Sequence, residues 1–371
     1  MNKLFLFFLL FCTVAQAQQN ILDREITTDL TNKSVQHLYN LEVEESLRYA
    51  EKLKALLPDH PAYPLIQALH IRWAEAPLDI KSEKYQVLQK YLFQTLDASE
   101  KMMAKDKNNA EAKFLALASH GLLAMFYAEE GSYFKAASEA KSAYGYLKDG
   151  MDLTEKYPDF YFSTGLYNYY REAYPEKHPV YKPFLWFFKK GDKQMGLQQL
   201  QKAREASIFM QAEAGLYLQH IYLRYEMNPK AAIPVSKDLV EQYPKNLIFR
   251  SDYVEALLGA GRYQEAEKAL PPLANSDRPH FAMVGQIFKG VIMEKHYGKT
   301  EQARTLYQQA LETGTHCDSE RAKDVKSIAY TGLGRIAQKQ GDSKVAKDNF
   351  KTAISLSQHD NTQAEPKSLM R

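Results

Sequence analysis

The clearest regularity along the chain is helical. In the C-terminal third, small and apolar residues recur at spacings of four and three: Ala266/Leu270/Leu273, Ala303/Tyr307/Ala310 and Ala346/Phe350/Ala353. At 3.6 residues per turn, such positions share one face of a helix. Each triplet follows a glycine-containing turn, in "GAGRYQEAEKAL" (259–270), "HYGKTEQARTLYQQAL" (296–311) and "KQGDSKVAKDNFKTAI" (339–354). Another apolar helix precedes each turn, best seen in "IAYTGLGRIAQKQG" with Tyr330, Leu333, Gly334 and Ala337. A small residue is needed at Gly334 because the partner helix crosses there.

The same spacing recurs upstream. Ser46/Ala50/Leu53 ends at Pro58, Ala136/Ala140/Ala143 follows Gly131, and Gly196/Leu200/Ala203 and Ala232/Ser236/Leu239 continue the series. The step from Ala232 to Ala266 is 34 residues. Units therefore fall at about 26–60, 110–158, 160–206, 210–245, 246–275, 283–314 and 326–358, with an elongated helix pair expected over 61–109. Neither an Asn-Gly hairpin nor sustained apolar–polar alternation signals a strand. The pattern predicts an all-α, antiparallel helix-pair solenoid of seven or eight units over 18–358, each unit burying its apolar face against its neighbours. The tail "HDNTQAEPKSLMR" (359–371) lacks periodicity and is expected to be disordered.

The order large, Leu, small, large on the first helix, then Ala, aromatic, Ala on the second, resembles the tetratricopeptide repeat family. The likeness is most specific over about 327–357. It implies a superhelix whose concave face takes a peptide or protein partner.

One unit departs from the pattern. Between a helix over "DFYFSTGLYNYYREAY" and a second helix starting after Gly191-Asp192 lies an aromatic, proline-containing insert at 174–191. Nine aromatics fall between Tyr167 and Phe188, against a chain average of 12%. Asp192 suits the N-cap of the second helix. Leu166, Tyr169, Tyr170 and Ala173 share the face expected to pack inward, while Tyr167, Arg171 and Tyr174 share another. Those three residues, with Trp186, are the candidate ligand- or partner-binding set.

About 40 residues here also resemble a narrower group, the tetratricopeptide-like proteins related to the fungal inclusion-body-clearance protein of the mitochondrial outer membrane. The matching residues are Gly165 to Tyr169, Pro179, Leu185 to Phe188, Gly191-Asp192 and Gly196-Leu197 with Leu200 and Ala203. Three readings of the insert stand side by side. Its rings fill and cap the solenoid, or they line a pocket for a peptide, sugar or other ligand, or Trp186, Phe187 and Phe188 beside Lys189 and Lys190 touch a membrane surface.

Composition narrows the setting. The opening "MNKLFLFFLLFCTVAQAQQ" has a Lys-bearing start, an apolar run from Leu4 to Val14 and the small-residue pattern Ala15-Gln16-Ala17. That layout predicts a signal peptide over 1–17, cleaved before Gln18, and a periplasmic or secreted protein. Loss of Lys3 moves the formal charge from +3 to +2, too near neutral for a nucleic-acid partner. Cys317 then remains as a lone thiol, so no intramolecular disulfide is expected. The longest later apolar run, "FLALASHGLLAMFYA" (114–128), is too short to span a bilayer and reads as a buried helix.

Chemistry-bearing motifs are lacking: no His-Glu-x-x-His, phosphate-binding glycine loop or Gly-x-Ser-x-Gly elbow occurs, and no cofactor or metal is expected. The adjacent His316, Cys317 and Asp318 read as a solvated loop. His70, Trp73 and His120 read as packed core residues. The leading expectation is a non-enzymatic exported scaffold that binds a peptide or protein on its concave face. The alternatives are a small-molecule or glycan binder using the insert, and, more weakly, an enzyme whose residues converge only in three dimensions.

Overall fold

A computed structural model describes residues 20–370 apart from 77, 178–187 and 358. Its regular elements are helices. After a short turn (Ile21–Asp23), α1 (Glu25–Tyr39) pairs with α2 (Val43–Leu56), α3 (Ala62–Ala74) with α4 (Glu83–Lys105), and α5 (Ala110–Glu129) with α6 (Tyr133–Met151). Next, α7 (Phe160–Lys177) pairs with α8 (Lys193–Ala206), and α9 (Gln211–Arg224) with α10 (Pro229–Gln242). In the following unit, α11 (Leu247–Gly259) is followed by α12 (Tyr263–Ala269) and the single turn α13 (Pro271–Ala274). The last pairs are α14 (Pro279–Lys295) with α15 (Thr300–Thr313) and α16 (Glu320–Lys339) with α17 (Ser343–Leu356), after which comes α18 (Asp360–Leu369). Eight pairs thus stack in chain order. No helix among the described residues is long and apolar enough to cross a membrane.

Local chemistry sets the helix ends. Asp192 accepts from the Met195 N–H at 2.9 Å, Asn109 from Ala112 at 2.8 Å and Asp342 from Val345 at 3.0 Å, each satisfying an otherwise orphaned first-turn donor. Four of the turns within pairs use a left-handed glycine, Gly131, Gly261, Gly298 and Gly341. Leu41 and Met227 occupy the corresponding turns of the first and fifth pairs, at φ of 60° and 52°.

Six of the seven triplets read from the sequence are buried, from Ser46/Ala50/Leu53 through Ala346/Phe350/Ala353. Gly334 behaves as expected: a Cβ there would lie 2.3 Å from Phe350 Cε1. Gly165 and Gly196 let α7 and α8 meet backbone to backbone, since a Cβ on Gly196 would fall 2.7 Å from the Tyr169 nitrogen. The seventh triplet differs. Ala140 is exposed, and Ala136 and Ala143 are only half-buried.

The solenoid also folds back on itself. Tyr39 and Trp73 pack with Tyr243 and Phe249 in one aromatic cluster, with centroids 5.2 to 5.8 Å apart. The Asn246 side chain donates to the Tyr39 carbonyl at 2.9 Å, Lys245 Nζ reaches Glu42 at 2.8 Å, and Arg72 pairs with Glu213. The first two pairs are thereby clasped to the fifth and sixth. Trp73 is core, as its sequence context predicts, and His70 is bonded to the Ser46 hydroxyl at 2.8 Å.

Two expectations need correction. The helix over 159–174 continues through Pro175 to Lys177, because a proline in the last turn forfeits only one backbone bond. The tail is not disordered: residues 360–369 form α18. A short polar helix gains too little from its own apolar face to show a period. It is held instead by contacts from distant helices, including Glu365 to Arg335 at 2.9 Å and Leu369 against the Ala337/Ala346/Phe350 cluster.

Candidate binding site on the concave face

First helices of the pairs from α3 to α16 line two open spaces. In the N-terminal part, α3, α5, α7 and α9, joined by α6, surround an open-sided cavity of about 520 Å³. Its wall is mostly aliphatic, represented by Leu65, Leu69, Leu117, Leu122, Met125 and Leu147. Tyr144, Tyr167, Tyr170 and Tyr217 bring hydroxyl groups to it. The wall's charges, Arg72 and Glu213, are bonded to each other. Burial pushes the Tyr170 and Tyr217 hydroxyls up from their ordinary pKa, so both remain protonated donors at neutral pH.

In the C-terminal part, α9, α11, α14 and α16 form a groove in which α18 lies. Glu365 reaches Arg335 at 2.9 Å and Lys295 at 3.5 Å. Arg335 is shared with the buried Glu294 at 2.7 Å, and the guanidinium holds the Glu294 carboxyl below the usual range against the opposing effect of burial. At the start of α18, His359 lies 3.2 Å from Asp324, which also accepts from Ser357 at 2.6 Å. Deeper, Arg224 forks onto Glu255 and Arg321 meets Asp252. A volume of about 320 Å³ stays open beside α18, bordered by Met227, Leu258, Phe288 and Val291.

Of the candidate residues from the sequence, the structure brings Tyr167 and Arg171 together. Tyr167 lines the cavity, and its hydroxyl donates to the Lys189 carbonyl at 2.5 Å while its ring packs 5.7 Å from Tyr144. Arg171 lies beside Tyr167 and bonds to it through its side chain, while its Cβ backs onto Gly191 and its guanidinium meets Glu172 at 3.5 Å. Tyr174 is exposed away from the cavity. Trp186 lies outside the described residues. Leu166, Tyr169, Tyr170 and Ala173 pack inward together as expected. Missed in the sequence were Arg72, Glu213 and the α18 ion pairs, all pairings of residues 30 or more positions apart; the Ala136/Ala140/Ala143 triplet was the available signal for the cavity.

Other polar residues have structural partners. His120 bonds Glu139 at 2.6 Å and stacks on Tyr146, and burial pushes the Cys317 thiol up. No cluster of three metal-ligating side chains occurs among the described residues.

Residues 223–285, from the end of α9 into α14, match the sequence profile of the tetratricopeptide repeat family. Residues 223–285 carry the tetratricopeptide repeat pattern. No curated protein matches it. Similar solved structures include the C-terminal part of a tetratricopeptide-repeat-containing protein from Cytophaga hutchinsonii, at 13% identity over 76% of this chain and 97% of that one, with a TM-score of 0.35. Yeast Tom70 is similar at 12% identity over 94% and 80%, with a TM-score of 0.39. The human IFIT1 dimer with PPP-AAAA is similar at 15% identity over 85% and 69%, with a TM-score of 0.42. With TM-scores below 0.5, none of the three informs partner or ligand. In this helix-pair solenoid, the notable features are the clasp, the cavity and the occupied groove.

Proposed function

We propose that the protein is a non-catalytic, exported interaction scaffold that holds a peptide segment of a partner in the concave groove of its C-terminal repeats. The observation that carries this reading is α18. The groove between α9 and α16 already receives a ten-residue polar helix, anchored by a carboxylate on Arg335 and Lys295. A partner segment of like chemistry, a short helix with an acidic residue facing Arg335, uses the same contacts when it displaces the tail. Helix-in-groove recognition of this kind rests on a few anchors and a matching charge. The signal-peptide layout of residues 1–17 supports the exported setting and predicts a mature N-terminus at Gln18.

The test loosens the tail in the full chain. In a Glu365→Lys variant, a photo-crosslinking residue replaces Met227 in the groove or, as control, the exposed Tyr174. A defined adduct from position 227 and none from 174 supports the reading. Equal labelling from both positions, or none from either, rejects it. Mass measurement of the processed chain checks the start at Gln18.

A further inference from the structure

The cavity between α3, α5, α6, α7 and α9 lies apart from the peptide groove, shares only α9 with it, and has its own structural cause. In six of the seven triplets, the second helix of a pair buries its triplet face in the core. On α6 the corresponding face is Ala136/Ala140/Ala143, with Ala140 exposed and the other two half-buried. Ala140 and Ala143 border open space instead.

Gly121 on α5 deepens the same space. A glycine inside a helix costs about 1 kcal/mol relative to alanine, so it normally has a packing reason. Most helix-interior glycines here have one, because a Cβ would run into another segment of the chain. Gly121 and Gly145 do not, since a Cβ on either would meet nothing within 4 Å, and Gly121 is the one that lines the cavity.

The lining restricts what fits. At about 520 Å³ the space lies within the ~300–1,000 Å³ range of small-molecule pockets. It has room for roughly 17 groups of about a water's ~30 Å³ share of liquid, or as many methylenes. Arg72 is already matched by Glu213, so an ionic ligand would enter an apolar space with no counter-charge to meet it. Among the described residues, the hydroxyls of Tyr170 and Tyr217 find no hydrogen-bond partner, while that of Tyr144 is engaged by Tyr167 and, at 3.4 Å, by the Lys189 N–H.

From this geometry we infer that the cavity is a binding site for an uncharged, largely apolar small molecule, lipid-like in size, whose one or two neutral oxygens meet the tyrosine hydroxyls. The aliphatic wall of α3 and α5 takes the apolar body, and the tyrosines of α6, α7 and α9 orient the polar end.

The test is a fluorescence titration of the full chain with N-phenyl-1-naphthylamine, an uncharged apolar fluorophore, and with its anionic relative 8-anilino-1-naphthalenesulfonate. Saturable binding of one equivalent of the uncharged probe is expected, at least about tenfold tighter than the anionic one. Gly121→Trp should weaken it at least about tenfold while Tm holds or rises, because the new side chain enters open space and removes a helix glycine. Ala140→Phe fills the opposite wall and should act in the same way, which keeps the test decisive if one variant folds poorly. Phe134→Ala, at a 96% exposed ring outside the lining, should leave binding unchanged. Non-saturable binding by the wild type overturns the proposal. So does full binding by folded Gly121→Trp and Ala140→Phe, loss of binding in Phe134→Ala, or equal affinity for the two probes.

Discussion

Single side chains decide how this molecule responds to acid. Burial holds His70 and His280 down to about 4, and His220 to about 3. Each folded value lies below the ordinary 6.5, so the neutral imidazoles contribute stability that is complete above pH 6.5 and is lost as pH falls through the window toward 4. The slope is about 1.4 kcal/mol per pH unit for each histidine fully titrating in that window. Asp159 works in the opposite sense, because burial raises it to about 6 and protonation therefore favours the folded state as pH drops. Urea midpoints between pH 7 and 4.5 should fall, and the fall should be shallower in His70→Gln/His280→Gln. Asp159 also accepts from the Phe209, Met210 and Ile208 N–H groups at 2.8, 3.1 and 3.2 Å. Asp159→Asn leaves one of those donors facing an amide NH₂, and should cost about 1–3 kcal/mol at pH 7. None of this was legible in the sequence: His70 is readable as a core residue from its helical neighbours, but Asp159 gains its role only when α7 and α9 meet.

At the scale of elements, the sequence is most transparent. The four–three spacing reports local helix geometry, so it locates faces such as Ala303/Tyr307/Ala310 without knowledge of the fold. Close crossings are legible for the same reason. Gly196 sits at the first position of its triplet, and the structure presses it against the α7 backbone. Gly196→Ala should destabilise by about 1–3 kcal/mol, read from urea unfolding, since two backbones cannot yield as a side chain would. Gly121→Ala should stabilise instead. The tail shows where this logic stops. The helix of 360–369 owes its order to Arg335 and Lys295, about 30 and 70 positions away, and no local spacing announces those partners.

The whole molecule is defined by closure. Eight pairs would form an open solenoid if each touched only its neighbours. Here the Tyr39–Trp73–Tyr243–Phe249 cluster and Asn246 tie the first two pairs to the fifth and sixth, placing α3 opposite α9 across the cavity. Asn246 also caps α11, accepting from the Ile248 N–H at 3.1 Å. Asn246→Ala should cost about 1–3 kcal/mol and speed amide exchange in α1–α3, with exchange in α14–α17 unchanged. The aromatic insert drew attention in the sequence because composition is visible there. The clasp was not visible, since its contacts join residues about 140 to 210 apart.

The claim that the C-terminal concave groove is a peptide site is tested most directly by offering it its own tail from outside. A fluorescently labelled peptide of residues 359–371 is titrated into the full chain and followed by anisotropy. A tethered segment competes at an effective concentration near millimolar, so the wild type should bind the peptide weakly. Glu365→Lys places a cation against Arg335 and Lys295, empties the groove and should increase peptide affinity at least about tenfold. Adding Arg335→Ala should abolish that gain. No binding to Glu365→Lys, or binding that is indifferent to Arg335, would contradict the account.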